Sequence, residues 1–236
     1  MKFIIISILV SITFSGAFSS DLNTADSLFS EKKYTESFEI YKKLHEEDRL
    51  ISPSIFLKMA YIKEGLGGYS DALYYLNLYY LKTADKKALG KMESLADKKD
   101  LRGYTNTDFE FIQTVFFKYY NQIVLIILSL AVLSLVLSYY LKFKRGGSPS
   151  FALILMVILL CVAFYVINFG KAYDKAIITQ SNTYLMSGPS SASEMVKIIK
   201  KGNRVNTQGQ SDIWTKVEIG NTTGYVKTSK LKEVRL

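Results

Sequence analysis

With 236 residues, 30 Lys and Arg against 21 Asp and Glu, a net charge of +9 and 49% apolar content, the chain is long enough for two small domains and basic enough to favour acidic partners. A single histidine, His45, and a single cysteine, Cys161, leave no residues for a His- or Cys-based metal centre, a Ser-His-Asp or Cys-His nucleophile, or an internal disulfide. No cofactor and no enzymatic activity are expected: acids such as Glu46, Glu47 and Asp48 are contiguous, where hydrolysis of a glycan needs two held across a cleft.

The apolar residues are concentrated in three uncharged stretches. The first, Phe3 to Phe14, follows Lys2 and precedes Ser15-Gly16-Ala17 and Ser19-Ser20, the layout of a secretory signal peptide, assigned to residues 1–19. An uncleaved N-terminal anchor is the alternative, although the stretch falls short of the roughly 20 apolar residues that span a bilayer.

Residues 20–100 are rich in Leu, Ala, Lys and Glu, with apolar positions at helical spacing: Leu22, Ala25, Leu28 and Phe29; Phe38, Tyr41 and Leu44; Ile55, Phe56, Met59 and Ala60; Leu73, Leu76, Tyr79 and Tyr80. At least four short helices are implied. Lys33-Tyr34-Thr35-Glu36-Ser37 aligns with Gly68-Tyr69-Ser70-Asp71-Ala72, each pairing an aromatic turn residue with a Thr or Ser and an acid in the first helical turn. Their offset and the small positions Ser37, Ala60 and Ala72 resemble the tetratricopeptide repeat (TPR). Two copies are visible, so Leu89, Met92, Leu95 and Ala96 are expected to form a closing helix, because two repeats alone bury little surface. Such a resemblance implies a groove that recognises proteins. A polar linker near Lys98 to Thr107 then leads into a juxtamembrane segment, residues 101–120.

The second and third apolar stretches, Ile123 to Leu141 and Phe151 to Phe169, are each long enough to cross a bilayer, and place transmembrane helices at 121–141 and 151–170. Aromatic residues flank them, among them Phe116, Tyr119, Tyr120, Tyr139, Tyr140 and Tyr173, as at membrane interfaces. The connector, residues 142–150, carries Lys142, Lys144 and Arg145 and no acid, which assigns it to the cytoplasm and both flanking domains to the outside. The spans contain no charge and no broken-helix pattern, which argues against transport.

After the second span, residues 171–236 hold 11 Lys and Arg against 5 acids, in short alternating runs: Ala176 to Thr179, Val196 to Ile199, Trp214 to Ile219 and Gly224 to Lys227. Turn clusters at Ser187 to Ser190, Lys201 to Asn203, Thr207 to Ser211 and Gly220 to Gly224 separate them, the pattern of a small β-barrel. Tyr184-Leu185 with Ser187-Gly188-Pro189-Ser190, Lys201-Gly202 with Val205, Trp214 with Lys216-Val217, and Gly224-Tyr225-Val226 resemble bacterial SH3 domains in order and spacing.

The expected fold is therefore a multidomain membrane protein with all-α TPR-like repeats, two transmembrane helices and a small all-β SH3-like barrel. The order of its parts resembles the BatE proteins of Bacteroidetes aerotolerance operons. That resemblance implies a scaffold in the cytoplasmic membrane with both domains in the periplasm, beside membrane proteins carrying von Willebrand factor A domains. Candidate ligand- or partner-binding residues are Trp214, Tyr225 and Tyr184 in the barrel, whose rings either stack on a ligand or pack the core, and Tyr41 and Tyr75 in the repeats. A non-enzymatic adaptor is the first reading and a peptidoglycan-binding surface sensor the second. The bilayer is a partner in both, and export excludes nucleic acid.

Overall fold

The computed structural model describes residues 20–105, 107–144, 148–170 and 173–236, so the signal-peptide assignment lies outside the described residues. The chain divides into two compact units: one joins the residues up to Thr105 with Lys175–Leu236, and the other is Asn106–Asp174.

In the first unit, helical residues 20–30 (α1) are followed by α2 (Tyr34–Glu46), α3 (Pro53–Gly65), α4 (Tyr69–Thr83) and α5 (Lys86–Lys98). Local chemistry sets the ends. Pro53 occupies the first turn of α3, where no N–H is required, and the Asp85 carboxylate accepts from Lys87 N–H to cap α5. Small side chains let the helices approach closely: Ser37 is fully buried with its hydroxyl donating to the Ala25 carbonyl, and Ala60 and Ala72 are buried too. Helix α4 is the centre of the unit, with every residue from Ala72 to Leu81 buried except Tyr79. A helix covered on all sides needs partners on all sides, and α3 and α5 account for only part of them.

The rest comes from the C-terminal part of the chain. Lys175–Leu236 forms a seven-stranded antiparallel sheet of β1 (Lys175–Ile178), β2 (Thr183–Met186), β3 (Met195–Ile199), β4 (Arg204–Ser211), β5 (Trp214–Ile219), β6 (Thr222–Lys227) and β7 (Leu231–Glu233). The strand order is β3-β2-β6-β5-β4-β1-β7. Ala176, Ile178, Leu185, Ile199, Val205, Val217, Ile219 and Val226 fill its interior. Gly224 is required where β2 crosses β6, since a Cβ there would lie 2.7 Å from both the Leu185 side chain and the Met186 carbonyl. Thr207 to Ser211 differs from the turn its composition implies. It continues β4 against β5 through a bulge, with Gly209 at φ +119, and the reversal falls at Asp212, φ +54.

The second unit holds α6 (Asp108–Lys118), α7 (Tyr120–Lys144) and α8 (Ser150–Phe169). At about 1.5 Å per residue, α7 and α8 are roughly 37 and 30 Å long, and by length and composition both can cross a membrane. They pack on each other through small residues, Ala131, Ser134 and Ser138 of α7 and Ala152 and Ala163 of α8, while Leu, Ile, Val and Phe face outward. Three polar side chains are satisfied within their own helices: Ser129 donates to the Leu125 carbonyl, Ser134 to Ala131 and Asn168 to Phe164.

Candidate functional site

One outer row of the sheet faces α4. The cross-strand register places Arg204 of β4 opposite Ile177 of β1, and Ile177 opposite Lys232 of β7. All three point away from the barrel interior by the two-residue alternation of a strand. Arg204 is 2% exposed; its Nε donates to the Gly103 carbonyl (2.6 Å), Nη1 donates to Asn77 Oδ1 (3.0 Å), and the guanidinium sits 5.1 Å from the Tyr104 ring centre. Asn77, fully buried in α4, uses its amide NH2 on the Leu73 carbonyl and so turns its oxygen to Arg204. Lys232 stands 4.1 Å over the Tyr74 ring. Burial lowers its pKa, against the nearby carboxylates of Asp71 and Glu46, and burial also pushes the Tyr74 hydroxyl up to about 12.

The segment that reads as a polar linker becomes a strap joining helices to barrel. Leu101 and Tyr104 are buried, and the Tyr104 hydroxyl donates to the Gly202 carbonyl (2.7 Å). Arg204 N–H donates to the Arg102 carbonyl, Arg102 N–H donates to Asn203 Oδ1, and Lys200 Nζ donates to the Lys99 carbonyl. Gly103 has φ +91 and lies so close to the Arg204 carbonyl that a Cβ would sit 2.0 Å from that oxygen.

Among the open surfaces of this unit, which include a cavity of about 590 Å³ beside Tyr69, Lys99 and Lys200, two bear on the candidate residues. The first is a groove of about 660 Å³ whose walls include Leu57, Tyr61 and Leu66, 46%, 58% and 57% exposed. Phe29, Tyr34 and Tyr61 contact one another edge to face at 5.6–5.9 Å, and the Lys91–Glu64 ion pair (2.6 Å) closes its rim. The second is a cleft of about 250 Å³ on the barrel, lined by Tyr184, Met186, Ser191, Trp214, Lys227 and Lys230. Trp214 forms its wall while itself only 6% exposed, and Tyr184 is 48% exposed. Lys227 Nζ lies 5.7 Å from the Trp214 ring and Lys230 Nζ 5.6 Å from the Tyr184 ring.

Residues 181–232 match the family described as Bacterial SH3 domain. No curated protein matches the chain. The matched span runs from just before β2 into β7 and contains every residue of the aromatic cleft.

Of the residues singled out in the sequence, Trp214 and Tyr184 therefore share one cleft. Tyr225 lies across from Met186 and Lys216 in the sheet and is not among the cleft residues. Tyr41 is fully buried with its hydroxyl donating to Asp26, and Tyr75 is 2% exposed, packed edge to face on Phe38 and Tyr74. Neither presents a ring to the groove, which uses Leu57 and Tyr61 of α3. The spacing of α3 carried a signal for these two, since both fall off the stripe Ile55, Phe56, Met59 and Ala60 that faces the core.

Proposed function

We propose that the chain is a non-enzymatic, membrane-anchored adaptor of the bacterial envelope, in which α1–α2 and α3–α4 are TPR-like hairpins closed by α5 and the recognition surface for a protein partner is the groove at Leu57 and Tyr61. The observation that carries this reading is the docking of the barrel onto α4. It covers one side of the helical pairs through Arg204, Lys232 and the strap, and leaves the aromatic groove open. An open apolar groove on a rigid scaffold is what a partner helix or extended peptide requires.

The same contact supports the topology. The helical pairs precede α7–α8 in sequence and the barrel follows them, yet the two form one unit. An even number of crossings must separate them, and α7 and α8 supply two. With Lys142 and Lys144 in the last turn of α7, the connector is assigned to the cytoplasm and the recognition unit to the periplasm. The partners proposed are membrane proteins of the same compartment, among them the von Willebrand factor A-domain proteins that the Bat-type resemblance implies.

A second reading has its own support. The Tyr184–Trp214 cleft pairs two aromatic faces with two ammonium groups, chemistry suited to the carboxylate-bearing peptides of peptidoglycan. The two readings separate in affinity purification of crosslinked membrane proteins from cells carrying Leu57→Ala/Tyr61→Ala or Tyr184→Ala/Lys227→Ala. Loss of partner proteins in the groove pair alone supports the adaptor; loss of sacculus binding in the cleft pair alone, with no partner proteins in either, supports the wall sensor.

A further inference from the structure

Helix α6 turns an apolar stripe outward. Phe109, Ile112, Phe116 and Tyr119 recur three or four residues apart, so they form one stripe of the helix and of the residue that ends it. On this stripe Phe109 is 73% exposed, Ile112 65% and Tyr119 45%. The covered side carries Thr114, fully buried with its hydroxyl donating to the Glu110 carbonyl, together with Glu110 and Phe117, both partly buried. A water-facing helix would show the opposite arrangement.

We propose that α6 is an interfacial membrane anchor whose Phe109–Ile112–Phe116–Tyr119 stripe enters the boundary between lipid headgroups and acyl chains. The inference rests on α7 and α8 being spans. Continuity identifies lipid as the occupant: α6 ends at Lys118 and α7 begins at Tyr120, with only Tyr119, at φ −100 and ψ 10, between them. The Ile123 N–H donates to the Tyr119 carbonyl across the junction, and Ile123 and Ile126 of α7 continue the stripe at the same three- or four-residue spacing. At the same level Phe117 packs edge to face on Tyr173 (5.5 Å) and the Tyr120 hydroxyl donates to the Val166 carbonyl (3.3 Å), so the base of α6 is fixed to the end of α8. Charge selects neutral contact. Among its residues α6 has Asp108 and Glu110 in the first turn and only Lys118 in the last, so attachment depends on apolar area and not on anionic headgroups.

The test uses the full chain with Cys161→Ala, reconstituted in phospholipid nanodiscs and spin-labelled at one cysteine introduced at Phe109, Ile112, Leu128 or Ser211. Collision rates with oxygen and with a water-soluble nickel chelate are then compared. Labels at Phe109 and Ile112 are expected to show an oxygen-to-nickel ratio several-fold above that at Ser211 and approaching that at Leu128, with no change when anionic lipid is replaced by zwitterionic lipid. Ratios equal to that at Ser211 overturn the proposal with water as the environment, and low collision with both reagents overturns it with protein as the occupant. In either case a lipid-type ratio at Leu128 leaves the span reading intact; its absence at Leu128 removes both. Ile112→Trp in the otherwise unlabelled chain gives an independent check. Brominated lipids should quench at least half of the added emission, and unchanged emission contradicts the anchor.

Discussion

Replacing Arg204 with Ala isolates the contact that joins the helical pairs to the barrel. The side chain makes two charge-assisted hydrogen bonds, to the Gly103 carbonyl and Asn77 Oδ1, each worth about 1.5–3 kcal/mol, and a contact with the Tyr104 ring worth about 0.5–2 kcal/mol. Against these stands the cost of burying a guanidinium, which the substitution removes, while Asn77 Oδ1 and the Gly103 carbonyl lose their donor. A net loss of about 4 kcal/mol is expected, or roughly a thousandfold in the ratio of docked to undocked barrel. Hydrogen exchange of the full chain reads it directly. Arg102 and Arg204 N–H groups bond across the contact, whereas β5 and β6 amides pair within the barrel. In Arg204→Ala the peptide covering residues 99–105 should exchange up to about a thousandfold faster while β5 and β6 stay protected, and Arg204→Lys, which loses the planar fork, should fall between. If β5 and β6 lose protection to the same degree, Arg204 supports the barrel itself; if nothing changes, the reasoning from these bonds is wrong.

Gly103→Ala should release the same strap with the Arg204 side chain still present, because φ +91 and the 2.0 Å approach to the Arg204 carbonyl both forbid a Cβ. Gly209→Ala, also at positive φ but with open space around it, should cost about 1–3 kcal/mol in urea unfolding, from backbone strain alone. His45, edge-on to Phe56 at 4.8 Å, has its pKa lowered mainly by burial and further by Lys232, against Glu46 and the Leu50 backbone. The folded state therefore binds the proton less readily than the unfolded chain. The stability His45 contributes is complete above the unfolded value near 6.5 and lost as pH falls through the lower folded value. His45→Phe should flatten the fall in stability between pH 7.5 and 5, and an unaltered slope would assign that fall to other groups.

The parts of the fold that depend on local pattern were legible in the sequence. Period-3.6 stripes gave the helices, two uncharged stretches gave α7 and α8, and alternation with glycine turns gave most of the barrel strands. The Thr207 to Ser211 segment was misjudged because its composition is that of a turn while its pairing with β5 continues. The strap was missed for a different reason. Lys98 to Thr107 is mostly polar, and nothing near Leu101 or Tyr104 indicates that a strand a hundred residues later covers them. Asn77 did carry a signal, a lone amide within Leu73 to Leu81, but its partner Arg204 is 127 positions away. At the cleft, Trp214 and Tyr184 were readable from the family pattern. Tyr41 and Tyr75 are aromatics of α2 and α4, and burial of those helices by neighbouring helices and the barrel removes both rings from the surface.

Photo-crosslinking in living cells tests the adaptor reading most directly. A benzophenone amino acid is placed at Tyr61 in the groove, at Tyr184 in the cleft, or at Ser211 as a surface control. The account predicts a discrete membrane-protein adduct from Tyr61 that is absent from Ser211 and lost when Leu57 is changed to Asp. Adducts from Tyr184 alone, to wall fragments, with none from Tyr61, would contradict it.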